Sequence, residues 1–189
     1  MKDCHIRPAL KNKLFARYCE DPSTLIVDEL ALRHGAARVD VAVVNGIIHG
    51  YELKSDFDTL KRLPHQVKIY NSVLDRITLI VGERHLDEAI DIIPEWWGVK
   101  LARMGLRGAV HFTEIRRPKN NPLQEILAVS KLLWREEALT LLKELGKAEG
   151  LRWKPRATIY ARLVEVAAPD LIRFRVRHQL RSRKNWRAA

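Results

Sequence analysis

The chain has 189 residues, of which 47% are hydrophobic and 30% charged, a composition typical of one globular domain with a small appendage. No apolar run approaches the roughly 20 residues that span a bilayer, and the N-terminus lacks the apolar segment of a signal peptide. The two cysteines, Cys4 and Cys19, are too few for a disulfide framework and lack zinc-ligand spacing. A membrane span, a secreted mini-protein and a cysteine-based metal module are therefore excluded, and we expect a soluble, cytoplasmic protein without a membrane partner.

The charge is divided unequally along the chain. Residues 1–99 carry 13 Lys and Arg against 15 Asp and Glu, a net charge of −2, whereas residues 100–189 carry 21 against 8, a net charge of +13. A strongly basic half indicates a polyanionic partner, and nucleic acid is the commonest one because each neutralised phosphate releases counterions. The alternative is a basic surface that only maintains solubility.

The N-terminal part predicts alternating helices and strands. Two β-rich runs flank Asn45-Gly46, a dipeptide typical of a hairpin turn. The predicted elements are a helix over 8–20, a helix over 23–32, a hairpin over 38–54, a helix over 58–73, a strand over 76–83, a helix over 84–93 and a strand over about 109–115. This order indicates an α/β domain with a mixed β-sheet flanked by helices.

The C-terminal part predicts helices alone. Residues 116–129 begin with a basic, Pro- and Asn-rich stretch that we interpret as a linker. Helices are predicted over 130–145, 155–167 and 170–183, the first of them closed by Gly146. The sequence thus predicts a domain over 1–115, a linker over 116–129 and a small all-helical basic region over 130–189.

Three polar residues of the hairpin indicate phosphodiester chemistry. Asp40 lies on its first strand, and Glu52 and Lys54, which share one strand face, end the second. Paired carboxylates are ligands that Mg²⁺ or Mn²⁺ prefers, and a neighbouring lysine can position the water that attacks a phosphodiester. Whether Asp40 and Glu52 can share a metal depends on the pairing register of the two hairpin strands. A two-residue loop would put Asp40 and Glu52 on opposite faces, so we predict a three-residue loop or one β-bulge that makes them meet.

Asp40 followed by Glu52-x-Lys54 resembles the signature of the PD-(D/E)xK nuclease superfamily, with Val39 in place of the motif's proline. Gln66-Val-Lys-Ile-Tyr70 resembles the QxxxY motif of the RecB-like branch. The segment from Glu29 to Gly98, with its Pro-Glu-Trp-Trp-Gly stretch, is also similar to a group of uncharacterised bacterial proteins assigned to this superfamily.

This resemblance implies a restriction-endonuclease-like core and a Mg²⁺-dependent (or Mn²⁺-dependent) deoxyribonuclease. Glu29, predicted on the helix before the hairpin, would join Asp40 and Glu52 in holding the metal. Lys54 would activate water, and Gln66 and Tyr70 would orient the DNA backbone or the lysine. The product would carry a 5′-phosphate.

Several arginines are candidates for contacts with DNA. Arg173, Arg177 and Arg181 would form one stripe on the last helix, suited to gripping phosphates without reading sequence. Arg38 could contact phosphate or cap its strand, and Arg62 lies on the same helix side as Gln66. Residues 138–164 resemble a SAP-like helix-linker-helix DNA-binding motif, which fits the same partner.

The leading hypothesis is therefore a metal-dependent deoxyribonuclease. The alternative is a non-catalytic DNA-binding accessory or regulatory protein on a nuclease-like scaffold, and a nuclease acting on RNA is a third reading. A homodimer is possible. The sequence leaves open endonuclease or exonuclease action, sequence specificity and the biological setting.

Overall fold

The computed structural model describes residues 1–183. Its helices and strands follow one another in the order α1 (Asp3–Tyr18), β1 (Leu25–Leu32), β2 (Ala37–Val44), β3 (Ile48–Lys54), α2 (Leu63–Val73), β4 (Arg76–Gly82), α3 (Leu86–Ile92), β5 (Gly98–Met104), β6 (Val110–Arg116), α4 (Ile126–Ser130), α5 (Arg135–Glu144), α6 (Arg156–Val166) and α7 (Pro169–Ser182). Two short 3-10 turns, Arg33–Gly35 and Glu83–His85, precede β2 and α3.

The six strands form one mixed sheet in chain order. Strands β3, β4 and β5 are parallel, and the remaining neighbours are antiparallel. Helices α2 and α3 make the crossovers that parallel strands require, and both contribute to the same core. The predicted α/β class with a mixed sheet flanked by helices is confirmed.

The segment predicted as a helix over 23–32 is instead strand β1, and that prediction is wrong. Its apolar residues fit either periodicity, and pairing with β2 from Leu25↔Val44 to Leu32↔Ala37 decides for the strand. Helix α2 begins at Leu63, later than the predicted residue 58, with Pro64 in its first turn, where a proline is tolerated.

The sheet buries both of its faces. Helix α1 covers one face, where Ile6, Leu10 and Leu14 pack with side chains of β2 and β3 such as Val41 and Leu53. The opposite face packs against α2, α3 and the four C-terminal helices in one continuous core. The fully buried Trp97 belongs to this larger core, so it packs rather than faces a ligand.

The segment between β6 and α4 is hydrogen-bonded to the α/β core. The Asn121 side-chain amide donates to the carbonyls of Asn71 and Leu74, at 2.6 and 2.7 Å, and that of Gln124 donates to the Val73 carbonyl at 2.9 Å. The C-terminal helices therefore sit on a fixed attachment to α2. The division of the chain at 116–129 into two domains stays a prediction.

Candidate functional site

The polar residues singled out on the hairpin, Asp40, Glu52 and Lys54, line an open cleft of about 620 Å³. The cleft lies where α1, the first three strands and α2 meet. Its lining includes side chains from each of these elements, among them Arg7, Glu29, Arg38, Asp40, Glu52, Lys54, Arg62 and Gln66.

The hairpin register brings Asp40 and Glu52 to the same place. Strands β2 and β3 pair from Val44↔Ile48 to Val41↔Tyr51, which leaves a loop of three residues, 45–47. The pairing stops at Val41↔Tyr51, so Asp40 and Glu52 are the next residues on their strands, and both line the cleft. The predicted three-residue loop is confirmed.

A break in strand alternation positions Glu29 and Asp40. Val27 and Leu30 both pack into the larger core although they are three residues apart on β1, and Val39 and Ala42 do the same on β2. Regular alternation would put each pair on opposite faces. Glu29 sits at the break with a φ of 54°, a conformation that non-glycine residues rarely adopt. The break aims both carboxylates into the cleft.

Glu52 is the centre of a buried hydrogen-bond network. It is 2% exposed, and its Oε1 accepts from Lys54 Nζ at 2.6 Å and from Gln66 Nε2 at 2.7 Å. Its Oε2 lies 2.7 Å from the Tyr70 hydroxyl, and Lys54 also donates to Gln66 Oε1 at 3.0 Å. The structure thus brings together the four residues predicted from the ExK and QxxxY patterns, namely Glu52, Lys54, Gln66 and Tyr70.

Burial changes the acidity of this network. The pKa of Glu52 is raised to about 7, because burial and the nearby charge of Asp40 outweigh the opposing effects of Lys54 and of the Tyr70 hydrogen bond. Burial and the charge of Glu52 raise the pKa of Tyr70, so its hydroxyl stays protonated. That hydroxyl also lies 2.6 Å from the Arg38 carbonyl, which ties α2 to β2.

Arg7 of α1 occupies the acidic side of the cleft, although no motif in the sequence points to it. Its guanidinium donates to Asp40 Oδ1 at 2.7 Å, to the Asp40 carbonyl at 2.9 Å and to Glu29 Oε1 at 3.1 Å. A further bond at 3.2 Å joins it to Asp3, one helical turn earlier. The only sequence signal was its place beside the apolar stripe of Ile6, Leu10 and Leu14 on α1.

The predicted ligands do not fit a divalent cation as they are arranged. The oxygens of Asp40 accept from Arg7 and from the Leu53 backbone N–H at 2.8 Å, and Glu29 accepts from Arg7. Both oxygens of Glu52 are engaged by the buried network. Among residues 1–183, no group of three or more His, Cys, Asp or Glu side chains is placed to hold a metal ion. The positive charge next to Asp40 and Glu29 is that of the Arg7 guanidinium.

The arginines predicted to bind DNA differ in their surroundings. Arg38 and Arg62 are exposed at the cleft. On α7, Arg173 donates to Gln124 at 2.7 Å and to Asp170 at 2.9 Å, and Arg181 donates to the Ser23 carbonyl at 3.0 Å. Arg177 is half-buried.

The stripe of Arg173, Arg177 and Arg181 therefore flanks the buried face of α7, and two of its members are bonded to the protein. Its contact with phosphates stays a prediction. The basic tail beyond it, with Trp186 and Arg187, lies outside the described residues.

Other exposed cations surround the connection between α5 and α6. Lys147, Arg152, Lys154 and Arg156 are all exposed, and we call these four residues the basic patch. Trp153, in their midst, is 85% exposed. This segment lies within the SAP-like stretch of the sequence, whose pattern points to none of these side chains in particular.

Fold and cleft together define a mixed α/β protein whose acidic cleft is neutralised by its own arginine and lysine, and whose C-terminal helices are basic. The chain belongs to the family described as Bacteriophage P4 protein cII, whose profile matches residues 1–188. It is 31% identical to Protein cII of Enterobacteria phage P4 over 88 residues, which are 47% of this chain and 33% of that protein. The match thus spans a third of that relative's length. No solved structure matches the chain.

The family match corrects the assignment made from the hairpin and QxxxY patterns. It covers nearly the whole chain and is to the cII family rather than to a nuclease family. Membership of the PD-(D/E)xK superfamily, and the metal-dependent deoxyribonuclease that it implied, are therefore wrong. The residues of the pattern are present and meet in space, but short D-ExK and QxxxY patterns also arise where they only stabilise a fold.

The sequence predicted no membrane-spanning segment, and the lengths and composition of the helices bear on this prediction. Within residues 1–183, no helix is both long enough and apolar enough to cross a membrane.

Proposed function

We propose that this chain is a non-catalytic, DNA-binding accessory or regulatory protein on a mixed α/β scaffold. The observation that carries the proposal is the charge division, with a net charge of +13 over residues 100–189 against −2 over residues 1–99. Such a field attracts the phosphate backbone independently of sequence.

The basic patch supplies exposed charge for this role. Within residues 150–164, Arg152, Lys154 and Arg156 of the patch are exposed, while the remaining cation, Arg162, is half-buried and paired with Glu165 at 2.9 Å. The positive field reaches neighbouring groups, since the pKa of His34 is lowered by partial burial and by the charges of Arg156 and Lys131. Exposed cations without acidic partners gain most from binding phosphates.

The cleft supports the non-catalytic part of the proposal. Lys54 is 4% exposed and donates to Glu52 and Gln66, so its charge is satisfied within the chain. Arg7 is bound to Asp40 and Glu29, which would otherwise repel DNA. We interpret the cleft residues as a tie between α1, the hairpin and α2.

The experiment is a fluorescence anisotropy titration of a labelled 30-base-pair duplex with the purified chain at several salt concentrations. Its oligomeric state is measured alongside by light scattering, which also tests the possible homodimer. We expect binding whose log affinity falls with log salt with a slope on the order of −4, one unit for each neutralised phosphate. Absence of salt-sensitive binding would contradict the proposal.

A parallel incubation of supercoiled plasmid with Mg²⁺ or Mn²⁺ tests the non-catalytic part. We expect the plasmid to remain intact. Metal-dependent cutting that is lost in Lys54→Ala would contradict this part of the proposal, while cutting that persists in that variant would indicate a contaminating nuclease.

A further inference from the structure

The connection between α5 and α6 is held firmly although it contains no regular structure. Ala148 and Leu151 pack against the larger core, and the Lys147 N–H donates to the Leu142 carbonyl at 2.8 Å. The Lys154 N–H donates to the Leu151 carbonyl at 3.0 Å, which closes a four-residue turn. We call residues 151–154 the α5–α6 turn.

The apex of this turn carries Arg152 and Trp153. The Arg152 carbonyl accepts from the Arg135 guanidinium, so the turn is also bonded to the first residue of α5. The Arg152 guanidinium lies 5.0 Å from the centre of the Trp153 ring, a cation–π distance. The backbone is thus fixed from both sides by contacts that do not involve the indole.

Trp153 is the unusual member of the turn. At 85% exposed, its indole gives up the burial that an aromatic side chain normally gains in a folded protein. It lies between Arg152 and Lys154, with Arg156 two residues further on. An aromatic ring amid cations matches a strand of nucleic acid, in which flat bases alternate with phosphates.

The form of DNA follows from geometry. In a duplex each base is stacked on both faces, so only its edges reach the grooves. An indole can stack only on a base whose face is open, as in single-stranded DNA. We propose, building on the proposed function, that the α5–α6 turn binds single-stranded DNA, with Trp153 stacked on a base and Arg152, Lys154 and Arg156 contacting the adjoining phosphates.

The test compares single-stranded and duplex oligonucleotides of the same sequence by anisotropy, for the wild type, Trp153→Ala and Trp153→Phe. Phe57→Ala is the matched control, because Phe57 is 70% exposed and has the Lys2 ammonium 5.9 Å from its ring centre. We expect Trp153→Ala to weaken single-strand binding on the order of tenfold. Duplex binding should change less than twofold, Trp153→Phe should retain most of the affinity, and Phe57→Ala should match the wild type.

Indole fluorescence gives a second readout. Stacking on a base should quench Trp153, so the quenching by single-stranded DNA should be smaller in Trp153→Phe than in the wild type. Because Trp153 contributes little to the core, the unfolding midpoint should be the same in all four proteins.

Each other outcome overturns the inference in a distinguishable way. Unchanged single-strand affinity in Trp153→Ala, with duplex binding intact in the wild type, refutes the inference and leaves the proposed function standing. Equal weakening on both forms of DNA makes the turn a phosphate contact without stacking. A wild type that binds neither form refutes both proposals, and binding of anionic phospholipid vesicles that Trp153→Ala abolishes would then assign the turn to a lipid surface.

Discussion

The cleft beside the hairpin and the turn between α5 and α6 contain similar residue types in opposite states. In the cleft, Arg7 and Lys54 are bound to carboxylates of the same chain. In the turn, Arg152 and Lys154 are exposed, and Trp153 projects into solvent. The cleft, which carries the sequence motifs, thus has its charges paired within the chain. The α5–α6 turn, which carries no such motif, has exposed charges that a partner could contact. A charge pattern indicates binding only where the fold leaves the charges unpaired.

The largest effect expected from breaking the cleft is that of Lys54→Ala. Removing one member of a buried ion pair leaves the other uncompensated, so we expect a loss of about 3 kcal/mol in unfolding free energy at pH 8. Urea denaturation measures it, with the exposed Lys61→Ala as control. A loss no greater than that of the control would show that the network does not stabilise the fold.

Glu52 makes the stability of the cleft depend on pH. Its pKa is about 7 in the folded chain against an ordinary 4.5, so the folded state favours the protonated form. The resulting stabilisation is complete below pH 4.5 and is lost as the pH rises through 7. We expect the unfolding free energy of the wild type, relative to that of Glu52→Gln, to fall between about pH 4.5 and 7. A difference that is constant with pH would contradict the raised pKa.

Arg7→Ala should open the acidic side of the cleft. Loss of its bonds to Asp40 and Glu29 should reduce the unfolding free energy by about 1–2 kcal/mol, as expected for partly exposed charge-assisted bonds. The predicted Mg²⁺ site is tested in the same samples by thermal unfolding with and without the ion. We expect Mg²⁺ to raise the midpoint of Arg7→Ala and not that of the wild type.

Lys11→Ala is the matched control for Arg7, since Lys11 lies one turn further along α1 and forms an ion pair with Asp28 at 2.5 Å. An equal Mg²⁺ effect in the wild type and in Arg7→Ala would show that the ion pairs of Arg7 do not keep Mg²⁺ from Asp40 and Glu29.

The smallest change in unfolding free energy is expected at Gly146, the residue just before Lys147 of the basic patch. Gly146 follows α5 with a φ of 66°, a conformation that costs a residue with a side chain about 1 kcal/mol. We expect Gly146→Ala to lower the unfolding free energy by that amount and to leave DNA affinity unchanged. Gly46→Ala, with open space around it and no positive φ, should be close to neutral. Equal effects of the two changes would contradict the conformational explanation.

The sequence predicted those features that depend on neighbouring residues. The hairpin follows from two β-rich runs around Asn45-Gly46, and its three-residue loop, or a bulge in its place, from the requirement that Asp40 meet Glu52. The nearness of Gln66 to Glu52 was implied by the resemblance to the QxxxY motif. The helix expected over 23–32 was wrong because Leu-Ile-Val-Asp-Glu-Leu-Ala-Leu has apolar residues at spacings that suit both structures, and only pairing with β2 decides between them.

Features that depend on distant residues were beyond the sequence. Arg7 contacts Asp40 across 33 positions, and no local pattern signals that contact. The exposure of Trp153 likewise depends on which side chains the core accommodates. The nuclease assignment failed because short residue patterns do not identify a family, whereas a profile that matches residues 1–188 does.

The most direct test of the account compares the DNA affinity of two charge-removal variants. The patch variant replaces Lys147, Arg152, Lys154 and Arg156 with glutamine. The cleft variant replaces Arg38 and Arg62 with glutamine. We expect the patch variant to lose most of its affinity and to bind with a shallower salt dependence, and the cleft variant to keep both within about twofold of the wild type. The reverse result, with affinity lost in the cleft variant and retained in the patch variant, would contradict the account.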